Sequence, residues 1–552
     1  MAEHEAHSIA FPTLDEKCVV DLGHCTLTAR KKFRDGEALF RAGDREAKFF
    51  VVISGQVEIL DETGNAPQRV TIHGPGQFTG DVSQITGRPA IVSGYARGDT
   101  EVYEVSQPAL RQLLNAHPEL ADVIFQAFIA RRELLRASND SNHFTGLRVV
   151  GPHSSADTFR VRDFLSRNNI LFTWLDTESD PQLADLLHQF ALTEADTPVV
   201  LFGQQLVLRN PTNRELADRI GLRRKLEPKV YDLVIVGGGP AGLAAAVYGA
   251  SEGLSTVVLE RLAPGGQAGR SMRIENYLGF PLGITGRELA DRAVLQASKF
   301  GAMLPIGSQV VRLSFETGLP VLRIDDDETI SAKCVLIATG ADYRVLAIDG
   351  CDRLQGRGVY YAATPIEAQV CQGAEVVVVG GGNSAGQAAV YLASQARKVY
   401  LVIRGDDLAK NMSSYLATRV EQTPNIEVLR NTEVQRLEGD SALGAVELRN
   451  NKTGEVRTIN GPALFSFIGA VPRTEWLPPE IQTDHKEFVV TGPAVAKSGA
   501  WTSKRPPFFL ETSWPGVFAA GDVRAGSVKR VASAVGEGSM AVQFVHEHLK
   551  DI

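Results

Sequence analysis

The chain has 552 residues, 44% of them hydrophobic and 22% charged, an ordinary globular composition at a length too great for one core. Three or four domains are therefore expected. A formal net charge of −8 supplies no basic field, which argues against nucleic acid or an anionic membrane as a partner.

The N-terminal stretch MAEHEAHSIAFPTLDEK is acidic and lacks the basic start and apolar core of a signal peptide. No apolar run approaches the about 20 residues that span a bilayer. The five cysteines, Cys18, Cys25, Cys334, Cys351 and Cys371, include no Cys-x-x-Cys. So few thiols, odd in number, fit a reducing compartment, and a cytoplasmic location is expected. No metal site is read from the sequence.

In chain order, Lys31 to Leu114 reads as short alternating strands such as FFVVISGQVEIL and RVTIHGPGQF, broken by Gly and Asp turns. HPELADVIFQAFIARRELLRAS follows with helical spacing. From Leu147 to Leu222 the pattern is LRVVG, FRVRDFLSR, ILFTWLD, LADLLHQF and PVVLF, alternately strand and helix. Arg223-Arg224-Lys225 with Pro228 reads as a linker, and the remainder is α/β.

Two strand-to-helix glycine turns dominate that remainder. In the first, Gly237 permits a tight turn, Gly239 lets backbone approach a pyrophosphate, and Gly242 allows close helix packing. The next strand, TVVLE, ends in Glu260, an acceptor for a ribose diol. In the second turn, Gly380 and Gly382 precede Asn383, Ser384 and Ala385, and the following strand ends in Arg404 instead of an acid. A guanidinium there can bind a 2′-phosphate bidentately, which favours NADPH over NADH.

Further wording matches one family. Gly265-Gly266-Gln267, Glu275-Asn276-Tyr277, Ala338-Thr339-Gly340 and the run Pro515 to Asp522 resemble low-molecular-weight thioredoxin reductases over about 320 residues. By that resemblance FAD and NADPH are the cofactors and a homodimer is expected. It places Gln267 and Asn276 beside the flavin, and Gly521 and Asp522 at the ribityl or pyrophosphate. It also puts the helix start at Arg530, Val531 and Ala532 by the flavin pyrimidine edge, where a helix N-terminus favours negative charge.

The segment that carries that family's redox cysteines reads here from Ala362 to Pro365. The two aligned positions, Ala362 and Pro365, hold no sulfur, so dithiol exchange there is chemically excluded. Cys371 is a lone thiol six residues on that reads mainly as a small buried residue, Cys334 reads as core, and Cys351 as a loop residue without a partner. Where that family usually places His-Arg-Arg after the strand, Ile403-Arg404-Gly405 keeps a single arginine, with Lys410 as a candidate second positive charge.

The front strands resemble a cyclic-nucleotide-binding domain around Phe78 to Ala90, with Asp81 where that family has glutamate and Ala90 where its phosphate-binding arginine stands. Without that charge partner, a docking or dimerisation role is expected over ordinary nucleotide binding. The middle region resembles a glutaredoxin or thioredoxin fold through Thr197-Pro198 before VVLF. Its redox position reads Ser155 to Thr158, suited to capping a helix starting near Phe159.

The expected architecture is multidomain. It comprises a cyclic-nucleotide-binding-like β-roll with helices at 1–140, a thioredoxin-like α/β domain at 141–227, and a pair of Rossmann-like domains. The FAD-binding one spans 228–345 and 468–552, the NAD(P)H-binding one 346–467. The expected activity is hydride transfer from NADPH to FAD and onward to an unknown electron acceptor outside the chain. Alternatives are a ferredoxin–NADP reductase-like enzyme, a reductase of external disulfides, and a sensor or scaffold that binds FAD or NADPH without turnover.

Overall fold

The structure, a computed structural model, describes residues 7–45, 47–62, 67–140, 147–179, 193–202, 206–315, 318–325 and 328–552. The predicted helix LADLLHQF lies outside the described residues.

In the front unit two 13-residue strands, Phe49–Asp61 and Ser93–Val105, pair antiparallel and form the middle of a five-stranded sheet. Phe49, Val51 and Val105 pack on one face and Phe50, Val52 and Val102 on the other, and Phe49, Phe78 and Phe128 meet with ring centroids 5.5–6.3 Å apart. Phe128 belongs to helix α1 (Pro118–Asp140). From the same helix, Arg131 donates to the carbonyls of Ala10, Phe78 and Gly80 at 2.6–3.0 Å. The helix is thus locked onto the loop ahead of Asp81.

The middle unit is a four-stranded sheet in the order Phe172–Leu175, Leu147–Val150, Val199–Phe202, Leu206–Arg209. The last strand is not among the predicted elements. Helix α2 (Ala156–Arg167) starts three residues before the predicted Phe159, because Ser155 Oγ accepts the Thr158 N–H at 3.2 Å and fixes the N-cap there. Thr197-Pro198 is cis.

The third unit opens with the strand Val230–Val236, which leads into α3 (Pro240–Ser251); α4 (Gly286–Lys299) follows. Val230–Val236 lies parallel between Thr256–Leu259 and Glu328–Ile337. Their side chains are apolar on both faces, as a doubly covered parallel sheet requires. The fourth unit stacks five parallel strands, with α5 (Pro365–Gln369) and α6 (Asn383–Ala393) following Val359–Tyr360 and Glu375–Val379. A two-stranded ribbon, Ala341–Tyr343 with Ala470–Pro472, joins the two units. The chain then returns to the third unit, adding Val517–Ala519 parallel to Glu328–Ile337 before ending in α7 (Val531–Leu549).

Candidate functional site

The carboxyl ends of Val230–Val236, Thr256–Leu259, Glu328–Ile337 and Val517–Ala519 open on a cavity of about 790 Å³. Strand ends of an open parallel sheet are where ligands of such folds sit. Three helices begin on its wall: α3 with Gly239 at the N-cap, α6 with Gly382, and α7 with Arg530. None of the three has a side-chain cap, so their first N–H groups are left for a ligand.

The glycines divide by what surrounds them. A Cβ at Gly242 would lie 1.9 Å from Gly237 O, and one at Gly237 2.3 Å from Ala338 O; both are required for backbone packing. A Cβ at Gly239 or Gly340 would meet no protein atom within 4 Å, and one at Gly382 only Asn411 O at 4.0 Å. Those three border the cavity, so the space beside them is reserved for something other than protein. Gln267 Oε1 is buried there without a partner among the described residues. The chamber, its open backbone donors and the orphaned acceptor fit a bound dinucleotide.

Of the predicted residues, Gly237, Gly239, Glu260, Gly266, Gln267, Asn276, Ala338, Thr339, Gly340, Gly382, Asn383, Ser384, Ala385, Gly521, Asp522, Arg530 and Val531 line this one cavity. Four do not. Gly242 packs inside α3 against Gly237, and Gly380 packs against Phe467 O. Ala532 is turned to solvent by the pitch of α7, which brings Ala534 to the wall instead. Arg404 is exposed beyond Lys398–Val402 and forms no ion pair among the described residues. Lys410 is neutralised by Asp406 at 2.7 Å.

Glu260 accepts the N–H of Gly238 at 2.7 Å with one oxygen and those of Leu262 and Ala263 with the other. It therefore shapes the turn, and a carboxylate has lone pairs left for a diol. Burial raises the pKa of Asp522 against the lowering pull of Lys529.

The segment Ala362 to Pro365 lines no part of this cavity. Ala362, Ala363 and Thr364 are buried, and Thr364 caps α5 in a capping box with Glu367. Arg270 reaches Glu367 from the third unit at 3.3 Å. From the middle unit, Phe159 of α2 packs on Tyr360 at 5.5 Å between centroids, and Arg162 donates to Gln369 at 2.6 Å. The middle unit thus packs on both flanks of the blank segment. Cys371 is fully buried, its Sγ donating to Glu367 O at 3.4 Å, and burial pushes its thiol up to about 12. It is a core residue, as is Cys334. Cys351 corrects its expectation: it is buried, with the Tyr361 hydroxyl 3.6 Å away.

Sequence reasoning missed Arg167, the last residue of α2, which lines the cavity beside Glu260 and Gly266. No local pattern marks it, because it arrives from a different unit. In the front unit Ala90 is packed among Phe40, Val52 and Val57, and the Asp81 carboxylate is engaged by Ser83. Arg88 turns away from the β-roll and donates to Asn168 O at 2.8 Å.

Two parallel-sheet units that open their glycine turns on one chamber define an oxidoreductase that works on two dinucleotides. Residues 231–538 match the pyridine nucleotide-disulphide oxidoreductase model, and the chain belongs to that family. It is a thioredoxin reductase-like NAD(P)H flavoprotein oxidoreductase, and the family implies FAD and a nicotinamide dinucleotide as cofactors. Thioredoxin reductase of Bacillus subtilis is 35% identical over 327 residues, spanning 59% of this chain and 97% of its own. That of Listeria innocua is 33% identical over 332 residues, 59% of this chain and 96% of its own. The crystal structure of Lactococcus lactis thioredoxin reductase in its FR conformation superposes with a TM-score of 0.52 at 30% identity, covering 58% of this chain and all of that one. Residues 30–117 match the cyclic nucleotide-binding domain. Among the described residues no helix is long and apolar enough to cross a membrane.

Proposed function

We propose that this protein takes hydride from NADPH onto FAD in the large cavity and passes the electrons to an acceptor that meets the flavin directly, not through a dithiol of its own. The carrying observation is that both glycine turns open on one chamber while Ala362 to Pro365 lies outside it, with Ala362, Ala363 and Thr364 buried. Bound FAD would supply a two-electron relay between nicotinamide and acceptor.

The chain's own residues provide the rest. Gly239 and the first N–H groups of α3 would hold the pyrophosphate, and Glu260 the adenosine ribose. The uncapped start of α7 would stabilise negative charge on the isoalloxazine. Arg404, exposed and without an ion pair among the described residues, would take the 2′-phosphate that distinguishes NADPH. We assign the acceptor to the class of small oxidants able to enter the cavity, such as a quinone, dioxygen or a compact electrophile.

The middle unit fits a thioredoxin-like fold that has lost its chemistry. A Cβ at Gly151 would touch both Thr158 Oγ1, at 2.5 Å, and Cα of cis-Pro198, at 3.2 Å, so the start of α2 faces the proline where that fold places its thiols. Hydroxyls stand there instead. A homodimer belongs to the same proposal, and sedimentation of the full chain checks it.

The test is anaerobic mixing of the yellow protein with NADPH, followed by a panel of thioredoxin, ferredoxin, quinones and oxygen. Rapid bleaching of the flavin and reoxidation by a small acceptor are expected. A flavin that stays oxidised under NADPH would show the protein to be a sensor or scaffold; turnover only with thioredoxin would overturn direct delivery.

A further inference from the structure

The large cavity is not built by the two dinucleotide units alone. Ile306 of the third unit packs in the core of the middle unit with Leu147, Phe164 and Leu222, and its N–H donates to Leu222 O at 3.3 Å. Ser308, two residues on, donates to Glu260 O at 3.0 Å. On the other side of Glu260, Asn168 Nδ2 donates to Leu262 O at 2.8 Å, and the Leu262 N–H donates to the Glu260 carboxylate, also at 2.8 Å. Asn168 is fully buried, and its own carbonyl accepts from Arg88 of the front unit at 2.8 Å. The residue that follows α2 is therefore held against the turn that presents Glu260.

The same grip carries Arg167, one residue earlier, to the cavity wall beside Glu260 and Gly266. A Cβ at Gly266 would lie 3.1 Å from Gly239 Cα, so this stretch of wall adjoins the first glycine turn. The guanidinium is not short of counter-charge. Asp163 stands 3.8 Å away, and Glu260 and Glu367 also act to raise its pKa, against the lowering effects of burial and Arg270. What it lacks is acceptors. Asp163 is too far for a hydrogen bond, and the Arg167 side chain donates none among the described residues. A planar fork of N–H donors thus borders the chamber, on a side chain that keeps 15% of its surface open. Arg167 also borders a smaller cavity, of about 230 Å³, where the front unit, α2 and α4 meet.

We propose that Arg167 is a phosphate ligand of the dinucleotide bound on the first glycine turn, and that the middle unit serves as a cofactor clamp, its fold kept for grip and not for electron transfer. A guanidinium fork matches phosphate oxygens and adds to the N–H groups that α3 leaves open. Arg167 lies outside residues 231–538, so it belongs to what this chain adds to the oxidoreductase match. Both roles rest on the large cavity being the FAD site.

The experiment strips the full chain of cofactor and measures its FAD affinity by flavin fluorescence in wild type, Arg167→Gln and Arg167→Lys. Gln is expected to weaken FAD about tenfold or more, and Lys, which keeps the charge but not the fork, by less. ADP, which carries the pyrophosphate without the flavin, is expected to lose affinity by the same factor in Arg167→Gln when it competes with FAD. The cofactor-free chains are expected to melt together. An FAD affinity within about twofold of wild type overturns the phosphate role. So does an unchanged ADP affinity, or a loss matched by earlier melting of the cofactor-free variant. The clamp is read separately, in the wild type, by hydrogen exchange. FAD is expected to slow exchange over residues 163–168, and exchange there that is indifferent to FAD overturns the clamp. A wild-type chain that takes up no FAD would instead fail the reading of the large cavity itself, a result distinct from a loss confined to the variants.

Discussion

Arg162 of α2 donates to Oε1 of Gln369 at 2.6 Å, and its guanidinium lies over the Trp174 ring at 3.5 Å from the centroid. One buried cation therefore joins the middle unit to the helix that follows the blank redox segment. Arg162→Ala removes a charge-assisted bond and a stacking partner, and is expected to cost about 2–3 kcal/mol of stability. Urea unfolding followed by tryptophan fluorescence checks this; a midpoint within error of wild type would mean that the contact holds nothing together.

Two glycines three residues apart in the first glycine turn are expected to fail in different ways. Gly239→Ala adds a methyl group where no protein atom lies within 4 Å, so stability stays within about 0.5 kcal/mol while flavin content falls sharply. Gly242→Ala drives Cβ to 1.9 Å from Gly237 O, so the protein itself is destabilised, by about 2 kcal/mol or more. Absorbance ratios at flavin and protein bands, beside melting curves, separate the two. Equal flavin loss with equal destabilisation would contradict the division.

Arg404→Ala is expected to raise KM for NADPH about tenfold, leave KM for NADH unchanged and spare kcat, since one exposed charge-assisted contact to a 2′-phosphate is lost. Steady-state kinetics with both nucleotides decide it. A parallel rise for NADH would remove Arg404 from nucleotide selection.

The thiols divide by burial. Cys18 and Cys25 are partly exposed, whereas Cys334, Cys351 and Cys371 are buried. Titration of the native chain with an aromatic disulfide reagent is expected to show two reactive thiols, and five after denaturation. Cys371→Ala should leave turnover unchanged; a loss of turnover would restore it as a redox group.

His73 is buried, and burial together with the charge of Arg131 lowers its pKa to about 3. In the unfolded chain it titrates near about 6.5. Between those values only the unfolded state binds the proton, so the front unit holds this contribution fully above about pH 6.5 and loses it as pH falls toward 3, at up to about 1.4 kcal/mol per unit. Unfolding midpoints at about pH 7.5 and about pH 5 should differ less in His73→Phe than in the wild type. The same pH dependence in both would show that other groups carry it.

What the sequence determined by itself is the chemistry that depends on backbone shape. Gly237, Gly239 and Gly242, then Gly380 and Gly382, are legible because a turn, a ligand approach and a helix contact each exclude a Cβ within a few residues of chain. The absence of sulfur at Ala362 and Pro365 is equally plain, since residue type alone forbids thiol exchange. Only the tertiary structure decided what packs on the flanks of that segment, which predicted residues share one chamber, and that Arg88, Arg162 and Arg167 reach across unit boundaries. Such contacts join residues far apart in the chain, and a long cation on a helix looks the same in sequence whether it meets solvent or, as Arg167 does, two cavities at once.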